Sequence, residues 1–202
     1  LSGGRAVLKH RLIFLRHGET DWNVEGRLQG GKDIPLNAKG RWQAEQAGRT
    51  ALKILGPGAV RDIPFVSSPL TRARTTMELA RAAMGLPPQG YALEPRVSEL
   101  TFGDWEGLTW PDVQARAPQA AAWREGEKWT FQPPNGESYS MLAQRLEPWL
   151  ESLRGETLVV SHGGVARALM ATVGGLAPER AATADIWQGR VLVFAGGRFD
   201  WI

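Results

Sequence analysis

The chain of 202 residues contains no cysteine. Disulfides, thiol nucleophiles and Cys-ligated metals are thereby excluded, and the composition suits a reducing compartment, so a cytoplasmic setting is expected. No apolar run approaches the roughly 20 residues that a membrane helix requires. The first residues carry no signal-type stretch of roughly 7–15 apolar residues. Lys and Arg are nowhere bunched into the blocks that nucleic-acid-binding arms show. No repeat and no low-complexity linker is visible. Histidine is scarce, with three in the whole chain, so each can be weighed by itself.

What is present describes an ordinary globular chain. Hydrophobic residues make up 43% and charged residues 22%, and the length suits one domain with a substantial core. The net charge is +3. It is carried mainly by Arg, whose planar fork can grip a phosphate through two bonds. Most of these Arg residues are expected on a solvated surface, with a few in a site.

Residues 11–15 read as a short buried strand, followed by a loop punctuated by Gly26, Gly30, Gly31 and Pro35. Asn37 can cap a helix running from 38 to about 54. Residues 63–67 read as a second strand, and Ser68-Pro69 opens a helix to about 84. A weak strand follows at 91–93. An amphipathic helix is expected over 138–153, a buried β-branched strand over 156–160, and a helix over 165–173. One or two strands close the chain between 186 and 201. Strands alternating with helices imply α/β architecture around a mostly parallel sheet. Residues 104–135, which hold Trp105, Trp110, Trp123 and Trp129, look like a Trp-rich insertion within a single domain spanning 1–202.

Two strands end in the same way: "LIFLRHG" at His17 and "TLVVSHGG" at His162. In open α/β sheets ligands bind beyond the carboxyl ends of the strands. An isolated His is more often structural than catalytic, and His10 has no special context. Two His residues at equivalent strand ends, each followed by Gly, instead suggest one shared crevice. Glycine at these points lets backbone approach a ligand closely. The helix opening at Gly163-Gly164 offers unpaired N–H groups to an anion. A third strand end, "SSPLTR", puts Arg72 in the first turn of a helix, where a cation is unfavourable unless an anion binds. Arg16, His17, Arg72 and His162 together imply a dianion, with phosphate the obvious candidate. A zinc site is the rival for a His pair, but it usually takes three protein ligands, and flanking cations repel a metal ion. "VSELTFGDWEG" supplies Glu99, Asp104 and Glu106 as candidate proton donors.

These motifs resemble the histidine phosphatase superfamily, also called phosphoglycerate mutase-like. Arg16-His17-Gly18-Glu19-Thr20, "SSPLTRARTTMELA", "SELTFGDWEG", "NGES" and "VVSHGGVARAL" match its elements in order. The resemblance implies a three-layer αβα sandwich with a mostly parallel central sheet and the small Trp-rich insertion over the active site. It implies that His17 is the nucleophile, forming a phosphohistidine. Arg16, Arg72 and His162 would hold the phosphoryl oxygens, helped by Asn23 and the Gly163 backbone N–H. Glu99 would serve as acid and then base, and Gln29 and Gly30 would lie near the substrate. No metal and no cofactor is implied.

Family mutases carry additional sequence that closes the site, and "FGDWEG" resembles the phosphatase branch, so hydrolysis of small-molecule phosphomonoesters is the leading expectation. A phosphoglycerate mutase-type transfer and an α-ribazole phosphate phosphatase stand as alternatives. A phosphoester-binding module and a metallohydrolase using His17 and His162 are readings of other classes. The expected partners are a small-molecule phosphomonoester and a second copy in a homodimer, with no nucleic acid and no membrane. The four tryptophans would either line an aromatic wall over the site or pack as core. Glu19 has no assigned role.

Overall fold

The computed structural model describes residues 8–202, and residues 1–7, whose lack of a signal-type run was noted above, lie outside the described residues. The chain opens with β1 (Leu12–Arg16), a one-turn helix α1 (Asp21–Val24) and the long helix α2 (Ala38–Leu55). It continues through β2 (Phe65–Ser67), α3 (Thr71–Ala83) and β3 (Ala92–Leu93). Two short helices follow, α4 (Trp110–Arg116) and α5 (Pro118–Gly126). After them come α6 (Tyr139–Ser152), β4 (Thr157–Ser161), α7 (Gly163–Thr172) and α8 (Pro178–Ala181). The described chain closes on β5 (Val191–Ala195) and β6 (Arg198–Trp201).

The strands form one six-stranded sheet in the order β3-β2-β4-β1-β5-β6. The first four run parallel, whereas β5 and β6 pair antiparallel at one edge. The two tail strands are joined by Gly196 and Gly197, at φ 57° and 76°. Both glycines adopt the positive φ that a tight hairpin turn demands.

Why β1 reads as an unbroken apolar run follows from its position. Leu12 and Phe14 face the cluster built with α6 and α7, while Ile13 and Leu15 face the cluster built with α2 and α3. A strand covered on both faces has no polar side to present. Helix α2 starts where Asn37 Oδ1 accepts the Gly40 N–H at 2.9 Å. It lies close against α3 because Gly48 has no side chain: a Cβ there would stand 2.5 Å from the Ala80 carbonyl oxygen. Ser138 caps α6 in the same way, accepting from the Met141 N–H.

The second strand starts later than the 63–67 expected, because 59–61 is a 3₁₀ turn that brings the chain to β2 only at Phe65. Residues 104–135, expected as a Trp-rich insertion, contain α4 and α5. They pack around a cluster of their own, Trp105, Val113, Ala121 and Phe131. Among the described residues no helix is long and apolar enough to cross a membrane.

Candidate active site

Strands β1 and β4 are neighbours, and Arg16 pairs with Ser161 across them. The next residue on each strand, His17 and His162, therefore leaves the sheet at the same level. The His17 N–H donates to the Ser161 carbonyl at 2.9 Å, and the two imidazole centroids are 5.2 Å apart. Both rings are buried. On the other side of β4, β2 ends at Ser67, and Ser68 Oγ lies 2.7 Å from His162 Nε2. Helix α3 then begins with its first turn anchored by Asp33, whose carboxylate accepts from Thr71 N at 2.8 Å and Thr71 Oγ1 at 2.6 Å. That anchor turns Arg72 inward, and its side chain is among the largest fully buried ones.

The hydrogen bonds fix what each group offers. His17 Nδ1 is 2.7 Å from the Gly18 carbonyl oxygen. A carbonyl only accepts, so the proton sits on Nδ1 and Nε2 keeps a free lone pair. The Leu70 N–H donates to Ser68 Oγ at 3.3 Å, and the same oxygen can either donate to His162 Nε2 or accept from it. Arg16 Nη1 donates to the Ile186 carbonyl at 2.6 Å. Arg72 donates through Nη1 to Lys32 O at 2.6 Å and through Nη2 to Gly30 O at 2.8 Å.

Among the described residues four buried side-chain polar atoms have no partner: Arg16 Nε, Arg72 Nε, His162 Nδ1 and Gln29 Oε1. Each such group costs about 1–3 kcal/mol when left unmet. All four belong to residues singled out from the sequence, and three of them are nitrogens, the two guanidinium ones being donors in any state. Buried donors without partners are suited to the equatorial oxygens of a phosphoryl group.

Burial is also the main electrical influence on the site. It pushes the His17 imidazole well below its ordinary pKa, and the positive charges of Arg72 and Arg16 push the same way. His162 is lowered for the same reasons, burial first and Arg72 next. Both rings are therefore neutral near pH 7. Arg16 is brought down to about 10, chiefly by burial, with Glu99 opposing the shift. It remains a cation at neutral pH.

The three candidate acids go to different places. Glu99 lies at the start of α7, where Oε2 accepts the Gly164 N–H at 3.1 Å and Oε1 the Leu100 N–H at 3.0 Å. Its charge acts on both Arg16 and Arg72. Asp104 is exposed and accepts from Asn135 Nδ2 at 3.1 Å. Glu106 Oε1 accepts from Gly31 N at 2.8 Å, Thr101 Oγ1 at 2.7 Å and Phe102 N at 3.2 Å, tying the Gly30–Gly31 loop to the Glu99 segment. Of the three carboxylates, Glu99 is thus the one whose charge acts on both guanidiniums.

Asn23 holds the entry loop through Oδ1, which accepts from Thr20 N and from Gln188 Nε2, each at 3.1 Å. Gly30 lies at φ 51°, and a Cβ there would stand 2.1 Å from Glu106 Oε1. The expectation that glycine after each His clears space for a ligand is corrected at Gly18 alone; at Gly163 a built Cβ meets nothing nearer than Arg16 Nε at 3.6 Å. At Gly18 the space is filled by the Gly40 backbone of α2, with a built Cβ only 2.1 Å from its carbonyl oxygen, so this glycine seats a helix. At Gly164 a Cβ would stand 2.2 Å from Glu99 Oε1, so that glycine admits the acid. Gly163 opens α7 immediately after His162, which caps the helix with no side-chain hydrogen bond. Glu19 now has a role: its carboxylate accepts from Lys39 Nζ at 2.8 Å and Asn37 Nδ2 at 3.2 Å, clasping the start of α2. Lys39 is the main reason its pKa is lowered.

Trp105, Trp110 and Trp123 meet in one aromatic cluster around Phe131, with Trp110 edge-on to Trp105 at 6.2 Å and Trp123 edge-on to Phe131 at 5.3 Å, while Trp129 stands apart from it. Trp105 stacks on Phe131 at 5.4 Å in the small cluster, Trp123 is 64% exposed, and Trp129 stacks on Tyr139 at 5.9 Å. Sequence reading gave no role to Asp33 and Thr76, and it took Ser68 as a helix start and Glu106 as a candidate acid rather than as contacts of His162 and of the Gly30–Gly31 loop. Thr76 Oγ1 accepts the Gly18 N–H at 3.0 Å. Only its spacing of four from Arg72 on a helix gave any signal.

The family model described as histidine phosphatase superfamily (branch 1) matches residues 12–199. A 2,3-bisphosphoglycerate-dependent phosphoglycerate mutase of Beijerinckia indica is 33% identical over 192 residues, covering 91% of this chain and 90% of that protein. A glucosyl-3-phosphoglycerate phosphatase of Mycobacterium tuberculosis is 36% identical over 177 residues, covering 81% of this chain and 74% of that protein. The solved structure of a mycobacterial glucosyl-3-phosphoglycerate phosphatase with VO3 superposes at a TM-score of 0.77 with 30% identity, covering 96% of this chain and 97% of that one.

Proposed function

The chain belongs to the histidine phosphatase superfamily (branch 1), and from that premise we propose that it is a phosphomonoesterase that hydrolyses small phosphate esters through a phosphohistidine at His17. The observation that supports this reading is the set of three buried, unpartnered nitrogens, Arg16 Nε, Arg72 Nε and His162 Nδ1, beside the buried neutral imidazole of His17.

In the first step the His17 Nε2 lone pair attacks phosphorus in line with the ester oxygen. The N–P bond forms as the P–O bond breaks, and the leaving alkoxide is protonated through Glu99 with the proton that the ester monoanion brings. In the second step the Glu99 carboxylate takes a proton from water. The water oxygen attacks phosphorus, the N–P bond breaks, and inorganic phosphate leaves with His17 neutral again. Charge on the equatorial oxygens is met throughout by the two guanidiniums and by His162. In phosphoryl transfer such positioning and neutralisation account for most of the catalysis. Dividing hydrolysis into two displacements gives each a good nucleophile.

Acid-quenched protein mixed with a labelled ester should carry phosphate on histidine, and His17→Ala should carry none. Full turnover by His17→Ala would overturn the reading. A second reading, phosphoryl transfer between positions of phosphoglycerate, draws on the likeness to proteins named mutases. Isomerisation of 3-phosphoglycerate that depends on 2,3-bisphosphoglycerate and outpaces phosphate release would favour it.

A further inference from the structure

The stretch Asn135-Gly136-Glu137-Ser138 stood out in the sequence, yet no step above uses it. Glu137 lies just before α6, and Arg145 lies two turns along that helix. Glu137 grips the Arg145 guanidinium with both carboxylate oxygens, Oε1 accepting from Nε at 2.9 Å and Oε2 from Nη2 at 2.8 Å. The pair is mostly buried, with 26% of the Arg145 side chain and 15% of the Glu137 side chain exposed. The guanidinium also reaches the segment that leads to Glu99. Its Nη1 donates to Arg96 O at 2.5 Å, and its Nη2 donates to Ser98 O at 3.1 Å.

Residues 95–101 belong to no strand; they make one 3₁₀ turn, Pro95–Val97, and then run on irregularly. Sheet pairing therefore does not fix the acid, and its backbone is fixed from other elements. Between the two carbonyls held by Arg145, Val97 O accepts from Ser161 Oγ at 2.6 Å, on the residue just before His162. Beyond Glu99, Thr101 O accepts from the Glu137 N–H at 2.9 Å. Three of these four bonds come from Arg145 and Glu137. The Glu99 carboxylate is then met by the N–H groups of Leu100 and Gly164, so its place against α7 follows from where this backbone is set. A planar fork can hold two carbonyls and both oxygens of a carboxylate at once, which a lysine ammonium cannot.

We propose that the Glu137–Arg145 pair positions Glu99, setting its carboxylate against the start of α7, so that proton transfer to the leaving oxygen depends on the pair while phosphate binding does not. This rests on the phosphomonoesterase reading and adds two positioning residues to it. A proton relay works only within hydrogen-bond reach, and a displacement of about 1 Å can cost about a hundredfold in rate. The opposite charges of the two residues separate positioning from a field effect. The charge of Arg145 reaches His162. Neutralising Arg145 and neutralising Glu137 change that field in opposite directions, whereas both changes break the same clamp.

Two leaving groups test it. Glycerol 3-phosphate must have its leaving oxygen protonated, whereas p-nitrophenolate departs as a stable anion. Arg145→Gln and Glu137→Gln should each lower kcat/KM for glycerol 3-phosphate by roughly tenfold to a hundredfold, and for p-nitrophenyl phosphate by less than about threefold. Glu99→Gln supplies the reference for that selective loss. Arg145→Lys keeps the charge without the fork and should resemble Arg145→Gln. Equal losses on both esters, opposite changes in the two neutral variants, or full rescue by lysine would overturn the positioning role and leave the phosphatase reading standing. Should Arg145→Gln fail to fold, Glu137→Gln carries the same comparison. Should either ester not be turned over by the unaltered protein, the amide resonance of Gly164 decides the placement alone. It should move in both neutral variants in the direction set by Glu99→Gln, and an unmoved resonance overturns the proposal.

Discussion

Phe14 lies in a strand covered by helices on both faces, whereas Trp105 lies in a cluster of only four buried residues beneath two short helices. The first environment carries His17, His162, Arg16 and Arg72, the proposed phosphate pocket. The second carries Arg124 of α5. His17, His162, Arg16 and Arg72 are held by strand ends and by backbone carbonyls at 2.6–2.9 Å. Arg124 is held by a ring face and by one half-exposed carboxylate. Groups that must meet phosphorus in line are set on the rigid part of the molecule.

The largest way to break this division is at the nucleophile. His17→Ala should lower kcat/KM by about 10⁴-fold or more and abolish the phosphoenzyme, read by acid-quench labelling. Next in size are paired core truncations. Phe14→Ala should lower unfolding stability by about 3–5 kcal/mol across the whole protein. Trp105→Ala should instead release hydrogen-exchange protection within 103–135 and spare β1 and β4. If both variants unfolded the protein as one unit, the two regions would not be separate in stability.

Arg72→Gln should cost about 10²–10³-fold in kcat/KM, because one preorganised donor to the phosphoryl oxygens is lost. An unchanged rate would remove Arg72 from the pocket's chemistry. The smallest effect is in pH. His17 and His162 are buried with pKa values well below the usual 6.5. As pH falls below 6.5 the unfolded chain binds protons that the folded chain refuses, so stability falls, by up to about 1.4 kcal/mol per pH unit for each ring. Denaturant titrations at pH 7 and 5.5 should show that fall, and His162→Gln should make it shallower. For the same reason the acid limb of kcat/KM should lie below pH 6.5.

Much of the pocket was legible because its residues sit directly after short, wholly apolar runs. A buried strand announces itself, and the residues that follow it must lie at its carboxyl end. The helix boundaries at 38, 71 and 139 were legible through Asn37, Pro69 and Ser138. Residues 103–135 were not, because α4 and α5 are short and their apolar residues serve a small cluster with no long period. The role of Gly18 was misread for a related reason. A glycine reports that something comes close, and only the folded chain shows that it is Gly40 of α2.

The sequence alone determined the chemistry on offer: an imidazole beyond β1, another beyond β4, and guanidiniums beside them, each set by local order along the chain. Tertiary structure decided how those groups are used. The parallel register of β1 and β4 brought His17 and His162 to 5.2 Å. Packing singled out Glu99 from three carboxylates and gave Glu106 to the loop instead. It also brought Arg145 to the carbonyls of Arg96 and Ser98, 49 and 47 residues away in sequence. Charge and hydrogen bonding act through space, and distances of that kind are set by the packed fold.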